Sequence, residues 1–318
     1  MKQKKLLIPF LALFLIIGGC SHSDPNIDDV DEEIVEEEED AADGEYRLVW
    51  QDTFDGTELN PAHWVVEIDG KGGGNEELQY YRRENISIGI EPETGANCLI
   101  ITAKKENFAG KTCTSGRLTT SGKMSFKYGK IKARIKLPKT ANGLWPAFWM
   151  MGQDYSQVGW PKCGEIDILE MGHQNGIKNG TQDRYFNSHF HWGESWPHPN
   201  WGKTYTHPTN IQEKFGIFTL IWDENSLKTF YGTDEEPLLI NIVEMTITGS
   251  TEPGNVARYF HKPFFAIFNL AIGGNFPGIW DINNVTALNN GDAKMYVDYI
   301  RVYQRGEEGE VFHGPTIN

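Results

Sequence analysis

Gly164-Glu-Ile-Asp-Ile-Leu-Glu170 gathers three carboxylates in one short apolar stretch. In an extended strand, side chains alternate between faces, so Glu165 and Asp167 share one face while Ile166 and Ile168 turn to the other. Simple alternation would send Glu170 to the wrong side. A β-bulge near Ile168-Leu169 inserts one residue and brings it back, and bulges are common beside active sites. Crowded like charges raise the pKa of at least one member, which is what a general acid working near neutral pH requires. Alternating acids are also the pattern of a solvated strand edge, and clustered acids can hold calcium. The surrounding residues favour chemistry.

Those acids stand amid Trp145, Trp149, Trp160, Trp192, Trp196 and Trp201. Indole faces suit the apolar C–H faces of sugar rings, and a neutral polymer offers little else to hold. Aromatics at strand spacing are usually core, so about half of these six are expected to meet a ligand.

The elements that must position the cluster are strands. Arg47–Trp50, Cys98–Ala103, Phe218–Trp222, Leu227–Tyr231, Phe264–Ala271 and Met295–Tyr303 are short apolar or alternating runs, and Asp223-Glu-Asn-Ser226 predicts a hairpin turn. Lys123–Leu137 alternates imperfectly, with Gly129 breaking the period. Long amphipathic helical stretches and a βαβ rhythm are absent, so the expectation is an all-β sandwich. A sheet-rich fold of this length forms one domain with extra ends.

The ends account for most of the charge. Residues 24–45 carry thirteen acids and no base, the first five residues carry three lysines, and these together supply −10 of the formal −15. The remaining −5 over 46–318 leaves no basic stripe to neutralise phosphates, so nucleic acid is not an expected partner. Lys2, Lys4 and Lys5 precede the apolar run Leu6–Ile17, which has signal-peptide length and is short for a membrane span. It ends at Ile-Gly-Gly-Cys20, which resembles a bacterial lipobox. The reading is therefore a lipoprotein signal peptide over 1–19, a lipidated Cys20, a disordered acidic tether over 20–45, a folded domain over 46–304 and a polar tail over 305–318. Acids soon after the cysteine resemble the export signal of surface-displayed lipoproteins. The expected location is the outer membrane, cell-surface exposed, with a periplasm-facing anchor as the alternative. Cys98, Cys113 and Cys163 show no metal-ligand spacing. Cys98 and Cys113 could bridge, but buried free thiols are the expectation.

Six segments in order resemble glycoside hydrolase family 16, in its laminarinase-like branch: Asn75–Tyr81, Gly143–Trp149, Trp160–Met171, His191-Trp-Gly193, Asn269–Asn275 and Tyr296–Tyr303. The resemblance covers almost all of 46–304. It implies a β-jelly-roll sandwich of two curved antiparallel sheets with an open concave cleft, and a retaining double displacement without a catalytic cofactor. Glu165 would be the nucleophile, Glu170 the acid/base, and Asp167 the residue between them. Asn75 and Arg117 would contact sugars on the non-reducing side, Trp145 and Trp149 would line the cleft, and His191 would stand beside the acid/base. A structural calcium held partly by Asp298 is a family feature, although Thr53 stands where many members have Glu.

The expected partner is a polysaccharide, cut by a monomeric endo-acting enzyme at β-1,3- or mixed-linkage β-glucan bonds. The alternative is an endo-β-1,4-galactosidase acting on poly-N-acetyllactosamine of mucin-type O-glycans, because Gly172–Trp201 is long and rich in Gly, Asn and His and is expected to form loops over one end of the cleft. A remote alternative is a surface glycan-binding protein without catalysis, which the presence of all three acids opposes.

Overall fold

The structure, a computed structural model, describes residues 46–252 and 254–305 and the backbone of 310–313. The expected signal peptide, the expected lipid site Cys20, the expected acidic tether and most of the expected polar tail lie outside the described residues.

Two large antiparallel sheets make up the fold, as the pattern of short strands requires. The outer sheet runs Ile240–Thr246, Ser226–Gly232, Phe215–Trp222, Gly129–Lys136, Ala293–Gln304, Asn97–Ala103 and Ile86–Ile90, with Arg47–Asp52 also paired to Ala293–Gln304. The second sheet runs Asn200–Thr206, Tyr185–His191, Glu165–Met171, Leu144–Gly152, Phe264–Ile272, Arg117–Thr119 and Val65–Val66. Together they form the all-β jelly-roll sandwich, and the acids of Glu165–Met171 lie at the middle of the second sheet.

Alternation explains the core. Ile131, Ala133 and Ile135 of the outer sheet are fully buried, as are Phe148, Ile166, Phe186, Phe190 and Phe268 of the other. Phe148 and Phe268 stack across adjacent strands with ring centroids 4.7 Å apart. Burying an aromatic ring of this size removes a large apolar area from water, so such pairs dominate the packing. At the predicted hairpin, Asp223 Oδ1 accepts the backbone N–H groups of Asn225 and Ser226, each at 2.7 Å, which pins the turn between its two strands. Cys98, Cys113 and Cys163 are buried and free, as expected.

Two segments differ from the expectation. Gly172–Trp201 is only partly loop: a short helix, Gln174–Asn179, leads to the strand Tyr185–His191, and Asn200–Thr206 begins at its end. The Gly, Asn and His content hid the alternation of Phe186, Ser188 and Phe190 into the core. The expected polar tail also includes a strand, since Glu310–His313 pairs with Met124–Lys127.

Gly129 does more than interrupt a period. Met124–Lys127 lies in the second sheet and Gly129–Lys136 in the outer one, so the chain crosses between sheets here. Gly129 has φ +116°, and a Cβ would sit 2.4 Å from the Tyr303 carbonyl oxygen. Gly129→Ala is expected to destabilise the domain by roughly 2–4 kcal/mol, lowering Tm by roughly 5–15 °C in a thermal melt. A melt within 1–2 °C (about the scatter of such scans) would contradict this account of the crossover.

Candidate active site

The bulge falls where the three acids require it. Against Leu144–Gly152, Ala147 faces Glu170 and Phe148 faces Leu169, but the next pair is Trp149 with Asp167, so Ile168 is skipped. Against Tyr185–His191, Asp167 faces His189 and Glu170 faces Asn187, leaving Ser188 alone opposite Ile168 and Leu169. Ile166, Ile168 and Leu169 are buried in the core, whereas Glu165 and Glu170 are half-buried and Asp167 is 4% exposed. Glycines bracket the strand. Gly164 has φ +75° and Gly172 φ +101°, and a Cβ on Gly172 would lie 1.9 Å from the Leu144 carbonyl oxygen.

The cluster is electrostatically unequal. Burial raises the pKa of Glu165 and the charge of Asp167 raises it further, while His191, Arg117 and a hydrogen bond from Trp160 act in the opposite direction. Burial, then Asp167, then Glu165 raise Glu170, and only the Trp145 N–H, 3.1 Å from its Oε1, opposes them. Two cations thus favour the charge on Glu165 and, among the described residues, none does so for Glu170, so Glu170 holds its proton more firmly than Glu165 does. His191 Nε2 lies 3.4 Å from Asp167 Oδ2. Burial pulls its pKa down, but the hydrogen bond and charge of Asp167 prevail and raise it. Its Nδ1 is 3.0 Å from His198 Nε2. Burial, and then the nearby His191 charge, hold His198 below the usual histidine range, which suits it to accept.

The other residues singled out in the sequence are placed as follows. Trp145 stacks face to face on Phe276, with centroids 4.4 Å apart and planes 10° apart. Trp149 donates its N–H to Asn269 Oδ1 at 2.7 Å, and the Arg117 guanidinium sits 4.9 Å from the Trp149 ring centroid. Arg117 Nε is 2.9 Å from Glu67 Oε2, which fixes the guanidinium near the cluster. Asn75 lies in a turn where its amide donates to the Gly73 carbonyl and its own carbonyl accepts from Asn275 N–H at 2.8 Å. Of the six tryptophans, Trp145, Trp149 and Trp160 gather about the acids, and Trp196, 74% exposed, stacks on Trp160 with centroids 6.1 Å apart. Trp192 packs on Phe260 instead, and Trp201 donates to the Glu244 carbonyl at 2.8 Å.

Sequence reasoning missed several neighbours. Buried Glu77 accepts from Gln79 Nε2 at 2.6 Å and from the Tyr81 hydroxyl at 2.9 Å. Phe276, the exposed Trp280 and His189 were also missed. Glu77 had a signal in the Asn75–Tyr81 segment; Phe276 and Trp280 sit in a turn-rich loop where no periodicity marks them.

Glu165, Asp167 and His191 each place one donor atom within 4.8 Å of the other two, a group able to hold a metal ion and the only one of its kind among the described residues. Asp298 does not fit a calcium site: Arg134 Nη1 lies 2.9 Å from its Oδ2, a cation where a dication would sit. The Thr53 hydroxyl is taken by Asp55. The calcium expectation is therefore carried no further.

The family model for glycosyl hydrolases family 16 matches residues 80–238. A solved Bacteroides ovatus family 16 structure, from a mixed-linkage-glucan locus and in complex with a G4G4G3G product, is 36% identical with a TM-score of 0.70, over 80% of this chain and 100% of that one. The β-glucanase of Rhodothermus marinus is 31% identical over 310 residues, 96% of this chain and 97% of that protein. The clotting factor G alpha subunit of Tachypleus tridentatus is 36% identical over 81% of this chain, which spans only 34% of that protein's length. A keratan-sulfate endo-1,4-β-galactosidase of Sphingobacterium multivorum is more distant, at 26% identity. With a family model over half its length and a relative matched from end to end, the chain belongs to glycosyl hydrolases family 16.

Proposed function

We propose that the protein is a retaining, endo-acting hydrolase of β-1,3- or mixed-linkage β-glucan. The observation that carries this reading is the bulged strand, which turns Glu165, Asp167 and Glu170 to one face with the cations on the side of Glu165. Glu165, whose ionised form Arg117 and His191 favour against the burial and the Asp167 charge that raise its pKa, attacks the anomeric carbon once deprotonated. Glu170, which keeps the proton, delivers it to the leaving oxygen and then takes one from the water that hydrolyses the glycosyl-enzyme. Retention needs these two carboxyls roughly 5–5.5 Å apart. Asp167 holds His191 and keeps the negative field that raises the pKa of Glu170. Trp145, Trp149 and Trp160 supply ring faces for glucosyl units, and Arg117 and Asn75 contact sugars on the non-reducing side. The glucan is favoured because several of the relatives named for a glucan or glucanase match at 31–36% identity, against 26% for the galactosidase.

The reading extends to the ends of the chain. Residues 1–19 are a signal peptide, Cys20 carries the lipid, 20–45 are the tether, and the monomeric domain of 46–304 works at the outer-membrane surface. The polar run Lys2–Lys5, the Leu6–Ile17 stretch and the acids after Cys20 support it.

Incubated with laminarin, mixed-linkage β-glucan, keratan and mucin O-glycans, the protein is expected to release glucose oligomers from a glucan, seen by chromatography and mass spectrometry. Glu165→Gln is expected to lower turnover by roughly three orders of magnitude or more while the glycan still binds. Oligosaccharides from mucin or keratan alone would transfer the activity to the galactosidase class. Trp145→Phe keeps a ring on Phe276 and removes the donor that lowers the Glu170 pKa. The alkaline limb of kcat/KM should therefore move to higher pH; an unmoved limb would remove Glu170 from the acid role. Cys20→Ala is expected to shift the protein from the membrane to the soluble fraction on cell fractionation, and an unchanged distribution would sink the lipid anchor.

A further inference from the structure

The middle of the sandwich holds two hydroxyls with no evident reason to be there. Ser188 lies between Phe186 and Phe190 on its strand, and Thr229 lies between Leu227 and Tyr231 on the outer sheet. Ser188 and Thr229 are fully buried, and their four neighbours are at most 2% exposed. A buried hydroxyl without a partner is unfavourable, so such groups persist where they are bonded. Here the partners form a line. Thr229 Oγ1 donates to Ser188 Oγ at 2.8 Å, and Ser188 Oγ donates to the backbone carbonyl of Asp167 at 2.7 Å.

The line ends at the bulge. Ser188 is the one residue opposite Ile168 and Leu169, where the ladder between Asp167 and Glu170 loses register. A bulge disrupts ladder bonding locally, and the Ser188 hydroxyl reaches the carbonyl on the near side of that break. At its other end, Thr229 sits at a second register shift, between Thr229 and Phe230 against the strand Ile240–Thr246. Irregular points in the two sheets are thus joined through the core by two hydrogen bonds.

We infer that Ser188 and Thr229 are positioning residues, a buried hydroxyl line that ties the outer sheet to the Asp167 carbonyl and so sets the spacing of Glu165, Asp167 and Glu170. This rests on the proposed roles of those acids and adds a support for them. Neither hydroxyl touches the acids' side chains; both act through the backbone that carries them. Arg117, His189 and His191, which face the cluster, are untouched by changes at either site.

Thr229→Val and Ser188→Ala remove one link each, and Thr229→Ser keeps the link. Thr219→Val is the control: Thr219 is equally buried, on the neighbouring outer strand, and its hydroxyl has no hydrogen-bond partner among the described residues. With all variants shown to be folded by circular dichroism, kcat on the glucan is expected to fall about tenfold in Thr229→Val and Ser188→Ala, with KM within about twofold. Their alkaline limb should move to lower pH, because a loosened cluster relaxes the raised carboxyl pKa values toward the ordinary range. Thr229→Ser and Thr219→Val should match the parent. A parent-like kcat and pH profile in Thr229→Val, or an equal loss in Thr229→Ser, would overturn the inference. Carboxyl ¹³C NMR titration of the same variants gives a readout free of substrate. A downward shift in Thr229→Val but not Thr219→Val supports the line even if no glycan in the panel is cut, and equal titrations refute it.

Discussion

Everything at the site follows from the two-residue period of a β-strand. Residues at i, i+2 and i+5 cannot share a face of a regular strand, yet the chemistry needs Glu165, Asp167 and Glu170 together. The extra residue at Ile168-Leu169 solves the parity and disturbs the ladder on both sides. The disturbance is contained because Leu144–Gly152 pairs without a break with Phe264–Ile272, from Leu144 with Ile272 to Gly152 with Phe264. The bulge is thus one irregular strand held against a regular pair, and Gly164 and Gly172 let the chain enter and leave at angles that a side chain would block.

Bringing three acids together out of water creates the second constraint. Each additional buried carboxylate disfavours ionisation of the others, so charge must be distributed rather than maximised. Burial and Asp167 raise the pKa of both glutamates; at Glu165 His191 and Arg117 offset part of the rise, whereas at Glu170 an indole N–H alone among the described residues does so. That asymmetry is built from different strands: Arg117 comes from the far side of Phe264–Ile272, and His191 from the strand next to the acids. Both are anchored, Arg117 by Glu67 and His191 by Asp167 and His198, which fixes the field as well as the geometry.

How much of this was legible in the sequence varies with the kind of signal. Strands such as Phe264–Ile272 and Phe215–Trp222 were plain because their apolar runs are short and bounded, and the bulge was legible because parity allowed no other way to unite three acids. Tyr185–His191 was obscured because Asn187, His189 and His191 occupy one face and make the segment look like loop, although Phe186 and Phe190 fill the other. The tryptophans divided according to partners that no local pattern reveals. Trp201 turns to the Glu244 carbonyl across the sandwich edge, and Trp145 is covered by Phe276 from a distant loop. The Asp298 expectation failed to carry a calcium because its neighbour is Arg134, more than 160 positions away in the chain and invisible to motif reading.

The same distinction explains why the core of this sandwich is not wholly apolar. An all-hydrocarbon interior would pack the sheets and still leave their relative slide poorly specified, since apolar contacts are non-directional. Hydrogen bonds to defined lone pairs are directional, and in a dry interior they are costly to break. A sandwich whose task is to hold two carboxyls at a working distance gains from placing a few such bonds where the catalytic strand is least regular. Ser188 and Thr229 stand at that place, at the cost of two polar side chains among aromatics. Rigidity at the bulge is thereby drawn from both sheets, and the open face above it stays clear for the glycan.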